Sequence, residues 1–400
     1  YKGILAYLSA QRLARYVVQP LPVRSFAITL DLHASSPARL TLSWQPAIDP
    51  LEPSASPASY RVEERIGGPD APFRLLAETT DPTLEVDIAP GQIHSYRVIA
   101  VNAGGRSFPS EVLSAGYSVR SASDWITVVN GFTRVSAPDA VYSGTLAGFG
   151  MHDAGVPWGT DRFTTGRVHE YDRTVPWVDD DNPGFGASGW ELEGKAVKGN
   201  NFDFTTIHGE AILAAGRSYV SSSVEAFVAD SLGTPPAIVD LMLGMQRGCF
   251  PEDMQRRLSA LAARGTGLMV SGSYVADGIE PGFAAGTLGI ASRGPVYGAP
   301  GGVAEVASGF FTTFAGGHFP LATLPDADPY RVSGAWAVTT ASGAPSEVVM
   351  RYDVSAMPAA VALRRVSHGA VTLGFPFETV NRTDARNLLM NQILSFLNEK

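Results

Sequence analysis

Glu378 closes the run VTLGFPFETV (residues 371–380), in which an apolar stretch stops at Gly374, Pro376 and a single carboxylate. A carboxylate in that position can orient a histidine, and the histidine can then take a proton from a serine or cysteine nucleophile. Two nucleophiles are in reach of this reasoning. Ser273 lies in SGSYVAD, and Cys249 lies in GMQRGCFPED just ahead of a helix N-terminus, a place that lowers a thiol pKa. Ser273 lacks the second glycine of a G-x-S-x-G turn, so bonding to backbone at a strand end is its plainer role. Cys249 reads more simply as a small buried residue at a helix entry. The candidate bases are His152 in GMHDAG, His208 in IHGE and His318 in GGHFP, with His169 beside Glu170. Glu378 with His152, His208 or His318 would suit hydrolysis or elimination. His208 and Glu210 beside Asp153 would suit acid–base or metal chemistry, but their spacing follows no standard ligand motif, and neither a metal nor another cofactor is expected.

Other residues suit binding rather than turnover. Trp158, Trp177 and Trp190 offer flat apolar faces on which a pyranose can stack, although aromatic residues in an insertion also serve as its own small core. Asn130, at the end of WITVVNGF, and His152 with Asp153 lie where loops leave a sheet edge. Asp179, Asp180 and Asp181 form an acidic run that lacks the glycine and glutamate register of an EF-hand, so a solvated loop is favoured over a calcium site.

The elements that must carry these residues change character along the chain. YKGILAYLSAQRLARYV spaces Ile4, Leu5, Leu8, Leu13 and Val17 as an amphipathic helix ended by Pro20 and Pro22. From about residue 25 to 116, ARLTLSW, SYRVEER, TLEVDI and HSYRVIAVNAGGRS alternate apolar and polar residues between turn signals, which predicts an antiparallel sandwich. From about residue 121 the rhythm becomes strand, helix, strand. WITVVNGF, AIVDLMLG, TGLMVSGSYV and VTLGFPFETV are the strands, and HGEAILAAG, FPEDMQRRLSALAARG and DARNLLMNQILSFLNEK are the helices. Strands alternating with helices imply a mostly parallel sheet, with ligands at the carboxyl ends of its strands. Two stretches interrupt the rhythm as insertions, about 137–200 and about 277–345.

Composition bounds the partners. Thirty basic against thirty-nine acidic residues give a net charge of −9, which opposes binding to nucleic acid or to an anionic membrane. One cysteine excludes an intrachain disulfide, and no run approaches the roughly 18 apolar residues of a membrane span.

Three resemblances follow from these motifs. The opening YKGILAYL string resembles the last helix of bacterial zinc-dependent N-acetylmuramoyl-L-alanine amidases, which implies an upstream domain; none of that family's zinc ligands, nor its catalytic glutamate, is included. Trp44, Tyr60 and IAPGQIHSYRVIAVNAGGRSFPS resemble a fibronectin type III module, with His94 where that family keeps its corner tyrosine and Tyr96 at the next inward position. His94 is expected to make a structural hydrogen bond there. IVDLMLGMQRG, LMVSGSYV and GFPFET resemble the class I glutamine amidotransferase-like superfamily. The resemblance implies a cysteine at the Ser271–Tyr274 turn and a histidine just before Glu378. Both are missing, since Phe377 and Pro376 stand before the glutamate, so amidotransferase chemistry is expected to be lost.

The reading is therefore a multidomain chain. Residues 1–20 are a helix trailing an upstream domain, residues 21–119 an all-β immunoglobulin-like (fibronectin type III) sandwich, and residues 120–400 an α/β doubly wound, mostly parallel sheet with insertions. As in multidomain amidase or xanthan-lyase-like proteins, the implied role is accessory. The region would bind polysaccharide or peptidoglycan in a secreted, periplasmic or cell-envelope setting, beside an upstream domain of the same protein in which any catalysis would lie. The alternative is a hydrolase or lyase acting on peptidoglycan or acidic polysaccharide, with Glu378, Ser273 and His208 as its residues.

Overall fold

The chain is described from a computed structural model. It covers residues 17–31, 38–69, 71–120, 124–133, 199–230, 235–248, 250–296, 300–311, 317–323, 327, 329–330, 332 and 334–398, with the backbone of short strands between 140 and 198. Residues 1–16 of the expected opening helix, Cys249, His152, Asp153, Trp158, His169, Trp190 and the Asp179–Asp181 run lie outside the described residues, and residues 17–20, the rest of that expected helix, are not helical.

Alternating sequences make the first layer pair. Strands β1 (Arg24–Asp31), β2 (Ala38–Gln45), β3 (Ser59–Ile66), β4 (Arg74–Thr79), β5 (Thr83–Ile88), β6 (Ile93–Asn102), β7 (Gly105–Arg106) and β8 (Leu113–Gly116) pair antiparallel throughout. One sheet runs β1-β2-β5 and the other β4-β3-β6-β8, with β7 folded back on β6. Leu40, Leu42 and Trp44 of β2 point inward because a strand sends every second side chain to the same face. Trp44 meets Tyr60 edge-on at 5.4 Å. His94 hydrogen-bonds Glu64 Oε1 through Nδ1 at 2.8 Å, a contact to the neighbouring strand, and its ring stacks on Tyr96.

The second part opens with β9 (Trp125–Asn130). Its first insertion holds β10 (Ala140–Ser143), β11 (Leu146–Phe149), β12 (Phe163–Thr165), β13 (Glu170–Asp172), β14 (Trp177–Val178), β15 (Gly184–Phe185) and β16 (Ala196–Lys198). These pair among themselves as β10-β11-β13, β12-β16 and β14-β15. Then follow α1 (Phe204–Ala214), β17 (Ser218–Ser223), α2 (Val224–Val228), β18 (Ile238–Met242), α3 (Glu252–Ala263) and β19 (Gly267–Ser271). After them come β20 (Ile290–Val296), β21 (Gly302–Glu305), β22 (His318–Pro320), β23 (Ala335–Thr340), β24 (Ser346–Tyr352), β25 (Pro358–Arg364), β26 (Gly369–Leu373) and α4 (Thr383–Asn398).

Parallel pairing gives the order β17-β9-β18-β19-β26. Strand alternation sorts the two faces. Ile126, Val128, Ile238, Met242, Met269, Val371 and Leu373 pack with Ile212 of α1 and with Leu389 and Ile393 of α4. Val129, Val239, Leu241, Leu268 and Val270 pack with Phe227 of α2 and with Met254, Leu258 and Leu261 of α3. The α3 face is the one its sequence spacing predicts, and Glu252 and Asp253 sit in its first turn, where they complement the helix dipole.

The structure departs from the sequence expectations in three places. Ser218–Ser223 is a strand although SYVSSS has no apolar run. Its hydroxyls bind sandwich backbone: Ser221 Oγ accepts from Ser114 N–H at 2.6 Å and donates to the Ser114 carbonyl at 2.8 Å. Strand β17 therefore belongs to both parts, parallel to β9 and antiparallel to β8 (Tyr219 opposite Gly116) and β1 (Ala27 opposite Ser222). Finally, the antiparallel extension β25-β24-β21-β22 runs past residue 345, the expected end of the second insertion, because β24 and β25 form a hairpin that pairs onto β26.

Candidate functional site

The site forms under the carboxyl edge of the parallel sheet. Asp240 is the middle residue of β18, in step with Ile238 and Met242, so its side chain enters the layer occupied by α1 and α4. There it meets His208. Helix α1 lies close enough because Gly209 follows His208. A β-carbon on Gly209 would come within 2.0 Å of the Tyr219 ring, whose hydroxyl is anchored on Ser114 Oγ at 3.0 Å. Glu378 arrives from the single 3-10 turn Phe377–Thr379 after β26. The approach to that turn also requires glycine, since a β-carbon on Gly374 would lie 1.9 Å from the Trp336 carbonyl oxygen.

These groups form one chain of contacts. His208 Nδ1 lies 2.7 Å from Asp240 Oδ2, and His208 Nε2 lies 3.3 Å from Glu378 Oε2. Tyr330 donates its hydroxyl to Glu378 Oε1 at 2.6 Å. The Phe377 ring stands edge-on to the imidazole at 4.7 Å. His208, Glu378 and Tyr330 have no exposed surface, and Asp240 is 1% exposed.

The electrostatics follow from that enclosure. Burial pulls the His208 pKa down, but the charge and hydrogen bond of Asp240, joined by those of Glu378, outweigh it and raise the imidazole to about 9. At neutral pH both ring nitrogens then carry protons and donate to carboxylates. Burial, reinforced by the Glu378 charge, holds the Tyr330 phenol protonated, well above its ordinary pKa. The result is a sealed ion chain in which every nitrogen of the imidazole is used. Asp240 Oδ1 is a buried oxygen without a partner.

Of the three candidate catalytic residues, the structure brings His208 and Glu378 together. Ser273 does not join them. It is 2% exposed, its backbone N–H donates to the Gly244 carbonyl at 2.9 Å, and the imidazole has no nitrogen left to activate its hydroxyl. Asn130 is wholly buried; it donates through Nδ2 to Glu111 Oε2 at 2.8 Å. Trp177 lies on β14, while His152, Asp153, Trp158 and Trp190 lie outside the described residues. Glu210 does not touch the imidazole chain: burial raises its carboxyl pKa and the charge of Arg386 opposes that. His318 is exposed and bonds Asp353 Oδ2 at 2.6 Å rather than Glu378. Among the described residues no group of three or more His, Cys, Asp or Glu side chains could hold a metal ion. No described helix is long and apolar enough to cross a membrane.

Sequence reasoning missed Asp240 and Tyr330. A signal for the first was present: Asp240 is the lone charge inside the apolar strand AIVDLMLG, and a charge there needs a buried partner. Tyr330 sits outside any element and carries no such signal.

No family model and no curated protein matches the chain. Solved structures match part of it. A twitchin kinase region from C. elegans is 23% identical over 24% of this chain and 16% of that chain, with a TM-score of 0.19. Titin kinase with its flanking domains is 15% identical over 33% of this chain and 27% of that one, with a TM-score of 0.21. The fibronectin type III domain of human fibronectin type III domain containing protein 3 is 25% identical over 24% of this chain and 84% of that chain, with a TM-score of 0.19. The chain thus spans well under two thirds of the first two. The N-terminal part is fibronectin type III-like, with antiparallel sheets β1-β2-β5 and β4-β3-β6-β8.

Proposed function

We propose that this region is accessory and non-catalytic, and that it binds polysaccharide or peptidoglycan for a secreted or cell-envelope protein of bacterial type. One observation carries the non-catalytic half: both nitrogens of His208 are committed to carboxylates inside a core with no exposed surface. A general base needs a free nitrogen within reach of a substrate proton, and a nucleophile needs that base. Neither condition is met by His208, Glu378 and Ser273. In this reading the parallel sheet is a doubly wound, amidotransferase-like scaffold whose chemistry has been replaced by an ion chain that ties α1, β18 and the turn after β26 together. The binding half rests on the fold-level analogy and on loops gathered at the carboxyl edge of the sheet, where such folds seat ligands.

The test is to incubate the whole chain and its Glu378→Gln variant with peptidoglycan and with neutral and acidic polysaccharides. The readouts are released reducing ends, unsaturated products and co-sedimentation. Co-sedimentation without product is expected from both. Turnover by the parent chain that Glu378→Gln abolishes would overturn the reading in favour of a hydrolase or lyase.

A further inference from the structure

The turn that joins β25 to β26, residues 365–368, is closed by the Arg365 N–H on the His368 carbonyl at 2.9 Å. It forms one wall of a cleft of about 290 Å³, and the last turn of α3 and the π-helical turn Ala284–Leu288 form the others. Because α3 leads into β19 and the hairpin turn leads into β26, the cleft lies at the amino edge of the parallel sheet, opposite the loops invoked above. Its volume is just under the roughly 300 Å³ at which small-molecule sites begin, room for about one sugar-sized unit. Single π turns are frequent at functional sites, and this one brings Gly286 and Thr287 to the cleft.

The lining is polar and carries one sign of charge. Arg365, Ser259, Thr287, Ser367 and His368 line it, and among the described residues no carboxylate lines it or pairs with Arg365. Of the five N–H donors of Arg365, one bonds the Ala285 carbonyl through Nη2 at 3.3 Å, while Nε is buried without a partner. A buried donor without an acceptor is destabilising, and an oxyanion in the cleft would supply one. The hydroxyls divide in two. Ser259 Oγ and Thr287 Oγ1 lie 3.0 Å apart, so one of their two protons is used between them and the other is free to be donated. His368 Nε2 lies 2.8 Å from the Thr287 carbonyl, which can only accept, so Nε2 carries a proton. With the ring neutral, Nδ1 then takes the Ser367 hydroxyl proton at 3.0 Å. The imidazole thus ties the hairpin turn to the π-helical turn, and Arg365 and the Ser259–Thr287 pair remain as donors.

We propose that this cleft binds a small oxyanion, the carboxylate or phosphate of a ligand about one sugar unit in size, held by the Arg365 guanidinium and the Ser259–Thr287 hydroxyls. The ligand class follows from the donors. A guanidinium fork matches two oxygens of a carboxylate or a phosphate, and a neighbouring hydroxyl supplies a further bond. The carboxyl end of α3 stands in the wall with its negative dipole, which opposes an anion. Its Leu261 and Ala262 carbonyls already accept from the backbone N–H groups of Arg264, Gly265 and Thr266, and the whole charge of Arg365 outweighs the roughly half charge of a helix end. The inference is independent of the glycan-binding reading, since it uses neither the loops at the carboxyl edge nor the His208 chain.

The experiment is isothermal titration calorimetry of the whole chain, Arg365→Gln and Gly286→Glu with glucuronate, glucose 6-phosphate and glucose, each variant first checked for folding by circular dichroism. Gly286→Glu keeps the test open even where Arg365→Gln fails to fold, because a β-carbon on Gly286 meets no atom within 4 Å and the new carboxylate enters open space. One or both acids held at least about ten-fold more tightly than glucose is the expected result, with that advantage lost in both variants. Which acid binds distinguishes a carboxylate from a phosphate as the bound group. Equal affinity for glucose and the acids overturns the ligand class. An advantage that survives in either folded variant moves the anion away from this cleft and overturns the proposal, as does the absence of binding by both acids.

Discussion

At the residue scale, one buried imidazole stands between two carboxylates, those of Asp240 and Glu378. Removing one member of a buried ion pair leaves the others charged and desolvated, which costs roughly 3–5 kcal/mol. His208→Ala is therefore expected to lose about that much in urea unfolding, and a loss below about 1 kcal/mol would mean the chain is not ionic. The pH dependence has a definite sign. The folded His208 pKa of about 9 lies above its ordinary 6.5, so its contribution is complete below pH 6.5 and is lost as pH rises through 9. The shift corresponds to roughly 3 kcal/mol. Glu111 acts in the same direction between its ordinary 4.5 and about 8, because its buried form also prefers the proton. A Glu111→Gln variant isolates the histidine: its thermal midpoint should still fall between pH 6.5 and 9. A flat midpoint there would show that His208 is neutral.

At the element scale, α1 carries His208 to Asp240 only because a glycine faces Tyr219. Gly209→Ala must displace either the helix or a ring fixed by its own hydroxyl. The expected cost is roughly 3 kcal/mol or more by chemical denaturation, at the upper end of overpacking effects, although alanine is the better helix former. A stabilised Gly209→Ala protein would show that propensity outweighs the contact and that α1 is not tightly seated. The helix itself was legible as HGEAILAAG closed by Gly216, which takes a φ of 77°. Its reach back to Phe204 was not. Phe204, Thr205 and Thr206 are buried by tertiary contacts, one of them Thr206 Oγ1 with Ser95 Oγ of the sandwich at 3.2 Å.

At the scale of the whole molecule, sandwich and sheet share β17 and are clamped a second time. Arg65 of β3 donates through Nη2 to Asp203 Oδ1 at 2.6 Å, at the start of α1, and Arg65 is 3% exposed. A shared strand and a buried ion pair predict one cooperative unfolding transition for the two parts. Helical circular dichroism reports the sheet region, since the described sandwich has no α-helix, and Trp44 fluorescence, read in a background with the other five tryptophans replaced by phenylalanine, reports the sandwich core. The two curves should coincide, and Arg65→Met should shift both downward together. Separate midpoints in the parent chain would show that the parts fold independently.

What could be read from the residues alone was whatever depends on local period and local chemistry. Alternation marked the sandwich strands, continuous apolar runs marked β18 and β19, and the spacing of Met254, Leu258 and Leu261 marked the inner face of α3. Glu378 stood out because one carboxylate ended an apolar run. Its partner did not, because the histidine comes from a residue 170 positions earlier in the chain, and no local pattern encodes a contact of that separation. The strand β17 was hidden for a related reason: serine hydroxyls can replace apolar burial only when the facing backbone is known. Folding decided that Glu378 meets His208 rather than Ser273, and that the pair is sealed. Those outcomes depend on which faces of α1, β18 and the last turn share one layer, a choice made by packing across the sheet.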